Sequence, residues 1–136
     1  MLEDLRTSAS KLARALADRV AEVVPDAVDI AASGAEVTFG RQGDPVEATD
    51  IETIISQTGD FKENVEAAAL LVLSDVQDFL AEGSTSPWPL SGIGGGSTLP
   101  YPHAEWSNDR LRLFFGEASR PFLELRPITL GELTGQ

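Results

Sequence analysis

The chain has 136 residues, 42% of them hydrophobic, and carries 22 acidic against 10 basic side chains, a formal net charge of −12, with one histidine and no cysteine. That excludes disulfides and conventional His/Cys zinc ligation. It also argues against nucleic acid or an anionic membrane as a partner, since both need concentrated Lys and Arg.

The hydrophobic content is enough for one conventional core, so a single α+β domain spanning 1–136 is expected. The opening residues mix Glu3 and Asp4 with Arg6 and Lys11 and lack the apolar run of a secretory signal. The longest apolar run, residues 67–73, is too short to cross a bilayer, which makes the cytoplasm the expected location.

Residues 3–24 carry Leu5, Leu12, Leu16, Val20 and Val23 at three- and four-residue steps, with Lys11, Arg14 and Asp18 on the other side, and predict a first helix ended by Pro25. The period then changes to two. Val28 and Ile30, a Ser33-Gly34 turn, and Val37 and Phe39 predict a hairpin over 27–32 and 35–40. A turn at Gly43-Asp44-Pro45 leads into a short strand at Val46–Ala48, and Asp50 is placed to cap a short helix with Ile51, Ile54 and Ile55 inward.

A second long helix follows, from an N-cap at Asp60 with Glu63 completing a capping box, to a stop at Gly83. Phe61, Val65, Ala68, Val72, Val76 and Phe79 line one face, and Leu70 and Leu71 widen the apolar arc beyond what one neighbouring sheet covers. That width predicts contact with the first helix or with a second subunit. Residues 83–102 hold five glycines and four prolines together with Trp88, Leu90, Ile93, Leu99 and Tyr101, so they read as irregular but adhesive.

Strand periodicity returns at Ala104 and Trp106. Asn108-Asp109 predicts a turn, Leu111, Leu113 and Phe115 alternate with Arg110, Arg112 and Phe114, and an edge strand at 122–126 lies between Pro121 and Pro127. The last nine residues are expected to attach weakly. The order α-β-β-(β)-α-β-β-β predicts two long helices packed on one side of an antiparallel sheet. It is similar to that of small acidic secretion chaperones, which combine helices with an antiparallel sheet and bind extended effector segments.

No catalytic set emerges from the side chains, and no cofactor or metal site is assigned. Residues 92–98 (GIGGGST) lack the lysine of a phosphate loop. Asp26/Asp29 and Asp75/Asp78 are too sparse for a calcium loop. His103, near Glu105, is the one group with an ordinary pKa near neutrality, but no serine lies in a nucleophile elbow. The closing hairpin is more suggestive: Arg110, Arg112 and Phe114 share one strand face, and Phe122, Glu124 and Arg126 share the next. Cross-strand Arg–Glu and Phe–Phe pairing accounts for this pattern, and so does an interface of aromatic anchors framed by arginines.

The functional expectation is a non-enzymatic protein-binding, adaptor or chaperone-like protein. Its partner would be another protein or a second copy as a homodimer, with Trp88, Trp106, Arg112, Phe114, Phe122 and Arg126 as contact residues. The alternative is a small ligand-binding protein or enzyme with a pocket at His103, Glu105 and Trp106.

Overall fold

The computed structural model describes residues 2–41, 46–57, 59–82 and 101–134. Among these described residues, four helices and seven strands follow the expected mixed order: α1 (Leu2–Ala21), β1 (Val28–Ser33), β2 (Glu36–Arg41), β3 (Glu47–Asp50), α2 (Glu52–Ile55), α3 (Phe61–Glu82), β4 (Pro102–Ser107), β5 (Arg110–Glu117), β6 (Arg120–Glu124), β7 (Ile128–Thr129) and α4 (Leu130–Thr134). All strand pairings are antiparallel. The strands are shared between a three-stranded sheet, β1-β2-β3, and a four-stranded sheet, β4-β5-β6 with β7 also on β5.

The helix α1 buries Ala9, Leu12, Leu16 and Val20 at the predicted spacing. It unwinds where Val23 and Val24 both donate to the Val20 carbonyl, just before Pro25, which has no N–H to continue the ladder. In the first hairpin the last strand pair is Ser33–Glu36, and Gly34 takes φ +58°, a left-handed conformation that glycine adopts without a Cβ clash. Val37 and Phe39 point inward from β2. On β3 the buried Thr49 hydroxyl donates to Asp75 Oδ2 at 2.7 Å, tying that edge strand to α3. Asp50 Oδ1 accepts from the Glu52 N–H, which starts α2.

At the start of α3, Asp60 Oδ1 accepts from the Lys62 N–H at 2.9 Å, as an N-capping aspartate should. Val65, Ala68, Ala69, Val72, Leu73, Val76, Phe79 and Leu80 are all buried, and each such leucine contributes roughly 1.5–3 kcal/mol. Near the other end, Arg41 Nη2 donates to the Phe79 and Leu80 carbonyls in the last turn of the helix. The predicted stop at Gly83 lies outside the described residues.

Side chains from α1, α2, α3, α4 and both sheets meet in one contiguous cluster that includes Leu12, Phe39, Ile55, Val72, Leu113 and Leu133. The second sheet turns between β4 and β5 at Asn108 (φ +54°) and Asp109 (φ +61°). Two consecutive left-handed residues define the turn type whose twist matches a two-residue hairpin. Gly116 (φ +105°) forms a bulge, and a Cβ there would lie 2.9 Å from the Phe122 nitrogen.

Residues 128–134, the described part of the C-terminal segment, do not attach weakly. Ile128 and Leu133 are fully buried. Strands β6 and β7 run along the same edge of β5, and five steps from Leu123 to Ile128 oppose four from Phe115 to Leu111, so one extra residue is accommodated near Arg126-Pro127. Arg19, only 4% exposed, donates from Nε to the Arg126 carbonyl (3.3 Å) and from Nη2 to the Pro127 carbonyl (3.0 Å). It also grips Glu132 at 2.7 and 2.8 Å. The strand interruption frees carbonyls, and a buried guanidinium from α1 satisfies them.

Candidate functional site: the outer face of the second sheet

The two-residue period of β4 and β5 separates their side chains cleanly. Pro102, Ala104, Trp106, Leu111, Leu113 and Phe115 face the helices, while His103, Glu105, Ser107, Arg110, Arg112 and Phe114 face away. Phe114 is nonetheless completely buried and does not belong to the main core cluster. On its own face the His103 ring stacks on it, with centroids 5.1 Å apart and 22° between planes, and the Arg112 guanidinium lies 4.5 Å from its ring centroid. His103 and Phe114 are direct cross-strand partners, the register in which side chains on one face meet.

Arg112 is held in turn by Glu124, from Nε at 2.8 Å and Nη2 at 3.2 Å, a forked pair of the kind that fixes a guanidinium plane. This hydrogen bonding lowers the Glu124 carboxyl below its ordinary value and raises Arg112. Beside the pair, a cleft of about 480 Å³ is lined by Ser107, Asn108, Arg110, Arg112, Glu124 and Pro127. Arg110 is exposed there and has no ion-pair partner among the described residues.

At the opposite end of β5 the chain exposes aromatic surface. Tyr101 is 66% exposed and Phe122 45%. Both flank Gly116: its N–H donates to the Tyr101 carbonyl at 2.9 Å, and its Cα hydrogen side abuts the Phe122 backbone. Arg120, also exposed and without an ion-pair partner among the described residues, is nearby in the same turn. The face thus runs from an arginine-lined cleft, over a sunken phenylalanine, to two open aromatic rings.

No family model, curated protein or solved structure matches this chain.

Of the residues singled out by sequence, Arg112, Phe114 and Phe122 share this face. Arg126 is at its margin and committed elsewhere, bridging to Glu22 (2.6 Å) and Asp18 (2.8 Å) on α1, which raises its pKa through hydrogen bonding to Glu22 first. Trp106 points the other way: its indole N–H donates to the Lys62 carbonyl at 2.8 Å and its backbone N–H to Glu66 at 2.9 Å. Those bonds fasten the outer edge of β4 to α3. Trp88 and the 92–98 glycine run lie outside the described residues. His103 and Glu105 therefore do not converge with Trp106 on one pocket, because strand alternation puts the tryptophan on the opposite face. Tyr101 and Arg120 complete the face without having been singled out from sequence for it, and Arg110, placed on this strand face by its alternation, was not among the expected contact residues. A signal for Arg110 existed, since it alternates in step with Arg112 and Phe114.

Among the described residues no group of three or more His, Asp or Glu side chains is arranged to hold a metal ion, and no helix is long and apolar enough to cross a membrane.

Proposed function

We propose that this protein binds another protein, acting as an adaptor or chaperone-like module, by laying an extended segment across the outer face of the second sheet. The observation that carries the reading is the open Tyr101–Phe122 pair at one end of a face whose other end presents an uncommitted Arg110. Exposed aromatic anchors framed by arginine are the side chains that dominate protein interfaces. From Arg110 to Gly116 the strand covers roughly 20 Å, enough for about six residues of extended chain.

The chemistry of the two ends specifies the segment. Arginine favours a carboxylate, and the aromatic pair favours an apolar side chain, so the partner is an acidic segment with an apolar anchor about five or six residues away. Between the two ends, His103 and Arg112 pack on the buried Phe114 and supply the floor that the segment would cross. Self-association would use a different surface. Leu70 and Leu71 on α3 are 40% and 37% exposed, with Ala67 exposed one turn earlier, and this stripe is the place for a homodimer contact.

Selection of random eight-residue peptides on the immobilised full chain tests the reading. Recovered peptides should be acidic with one apolar anchor, and Phe122→Ala and Arg110→Ala should each weaken binding at least tenfold. Recovery of no common pattern, or equal binding by both variants, would overturn it.

A further inference from the structure

A second cleft, on a different part of the molecule, separates α1 from α4. It has a volume of about 380 Å³, within the roughly 300–1,000 Å³ usual for small-molecule sites, and is lined by Lys11, Arg14, Ala15, Asp18, Arg19 and Glu132. Lys11, Arg14 and Asp18 lie on one stripe of the helix, at positions separated by three and four residues, with Ala15 leaving space between them.

The two acids in the lining are already committed. Asp18 takes bonds from Arg19 and Arg126, and both Glu132 oxygens accept from Arg19. Lys11 and Arg14 are not: among the described residues neither has an ion-pair or hydrogen-bond partner. Three cations face two carboxylates in this lining, so the cleft is locally positive in a protein of net charge −12. Charges beyond about 8 Å are largely screened at physiological salt, so the local excess decides what enters. Lys11 and Arg14, three residues apart on the helix, also repel each other as like charges, which an anion between them would relieve.

Arg19 adds a directional element. A guanidinium has five N–H donors. The Arg126 and Pro127 carbonyls, Asp18 and Glu132 occupy four of them, and one Nη1 N–H has no partner among the described residues. Being almost fully buried, this guanidinium is held in place before any ligand arrives. Lys11 offers a mobile point charge, Arg14 a planar fork and Arg19 a fixed N–H. Three separate donor side chains in one lining suit an oxyanion with three or four acceptor oxygens better than a planar carboxylate, which two parallel N–H groups satisfy.

We propose that the α1–α4 cleft is a binding site for a phosphate-type oxyanion, held by Lys11, Arg14 and the remaining Arg19 N–H. Its volume leaves space for the organic part of a small phosphomonoester as well as for inorganic phosphate, and the experiment separates these sources.

The full chain, uniformly labelled with ¹⁵N, is titrated at constant ionic strength with inorganic phosphate, methyl phosphate and, as a control, acetate. Amide shifts should concentrate in residues 11–19 and 130–133 for both phosphates, with methyl phosphate binding at least as tightly, and acetate should bind at least tenfold more weakly. A tighter inorganic phosphate would assign the site to the free ion within the same class. The double variant Lys11→Ala/Arg14→Ala should lose at least tenfold in affinity with an unchanged melting temperature, because neither side chain holds the fold together. Arg110→Ala/Arg120→Ala, on the peptide-binding face, should bind phosphate like the wild type. Equal affinity for acetate, shifts shared equally with the second sheet, or undiminished binding by the Lys11/Arg14 variant would each overturn the proposal. Because the peptide selection probes a different face, either result can fail without the other.

Discussion

Arg19 on α1 and Glu132 on α4 are 113 residues apart in sequence and meet in a two-oxygen contact at 2.7 and 2.8 Å, and the same guanidinium satisfies two carbonyls freed where β6 gives way to β7. One side chain thus joins the first helix, the sheet edge and the C-terminal helix. Replacing Arg19 with Met keeps much of the packing volume but strands these acceptors. The expected loss is about 2–4 kcal/mol of unfolding free energy, read from urea denaturation. Arg19→Lys should recover only part of it, because an ammonium cannot reproduce the fork. A loss below about 0.5 kcal/mol for Arg19→Met would show that the contacts are incidental.

The same contact makes the C-terminal segment sensitive to acid. Burial works to raise the Glu132 carboxyl, but hydrogen bonds from Arg19 and Thr129 outweigh it, and the net shift is downward. A carboxyl whose folded pKa lies below its unfolded value stabilises the fold above the unfolded pKa. That contribution is lost as pH falls through the folded value. Amide exchange of residues 130–133 should therefore accelerate as pH is lowered past the ordinary glutamate range, after correction for intrinsic rates. In Glu132→Gln this extra acid sensitivity should disappear.

The sequence made some of this architecture plain and concealed the rest, according to how local the determining interactions are. Asn108-Asp109 needs only its own backbone preferences to make a tight turn, and Asp60 needs only the next two residues to cap α3. Both are evident from residue type. The division of the strands between two sheets depends on pairings and packing across the whole chain, which alternation alone does not encode. Arg19 left a usable sign: it falls seven residues after Leu12 and three after Leu16, on the buried side of α1, so a charge was due to be buried there. Its partners could not be read, since they lie more than 100 residues away. At the candidate site, Arg112–Glu124 followed from cross-strand pairing, whereas the sinking of Phe114 beneath His103 did not.

The β4–β5 turn gives a second stability prediction. Asn108 and Asp109 both occupy left-handed backbone, where most L-residues are strained and asparagine, aspartate and glycine are tolerated. Asn108→Ala should cost about 1 kcal/mol, while Asn108→Gly should be neutral or slightly stabilising. Asp109 also meets Lys62 at 3.0 Å, but both groups are well exposed, so Asp109→Gly should lose little. Thermal denaturation of the three variants checks the order; an alanine variant as stable as the wild type would contradict the turn geometry.

Trp106 separates a structural role from an interface role. Its indole N–H donates to the Lys62 carbonyl, and its ring is half-buried on the helix side of β4. Trp106→Phe removes that bond and some packing, so a destabilisation of about 1–2 kcal/mol is expected. Peptide binding at the outer face should be unchanged once folding is complete. Loss of binding by a folded Trp106→Phe protein would mean that the contact surface extends around the strand to α3.

Self-association gives the last prediction, and it turns on α3. The helix buries most of its apolar residues within one chain, yet Leu70 and Leu71 project outward beside exposed Ala67. Two copies of this stripe packed about a twofold axis would bury the leucines on each other, at roughly 1.5–3 kcal/mol for each fully covered side chain. Sedimentation equilibrium over a hundredfold concentration range should then reveal a dimer whose mass falls to that of one chain in Leu70→Asp/Leu71→Asp. Since neither leucine is enclosed in the protomer, the variant should keep the wild-type circular dichroism spectrum. A single-chain mass for the wild type at every concentration would remove the dimer and leave the sheet face as the sole proposed contact with other proteins.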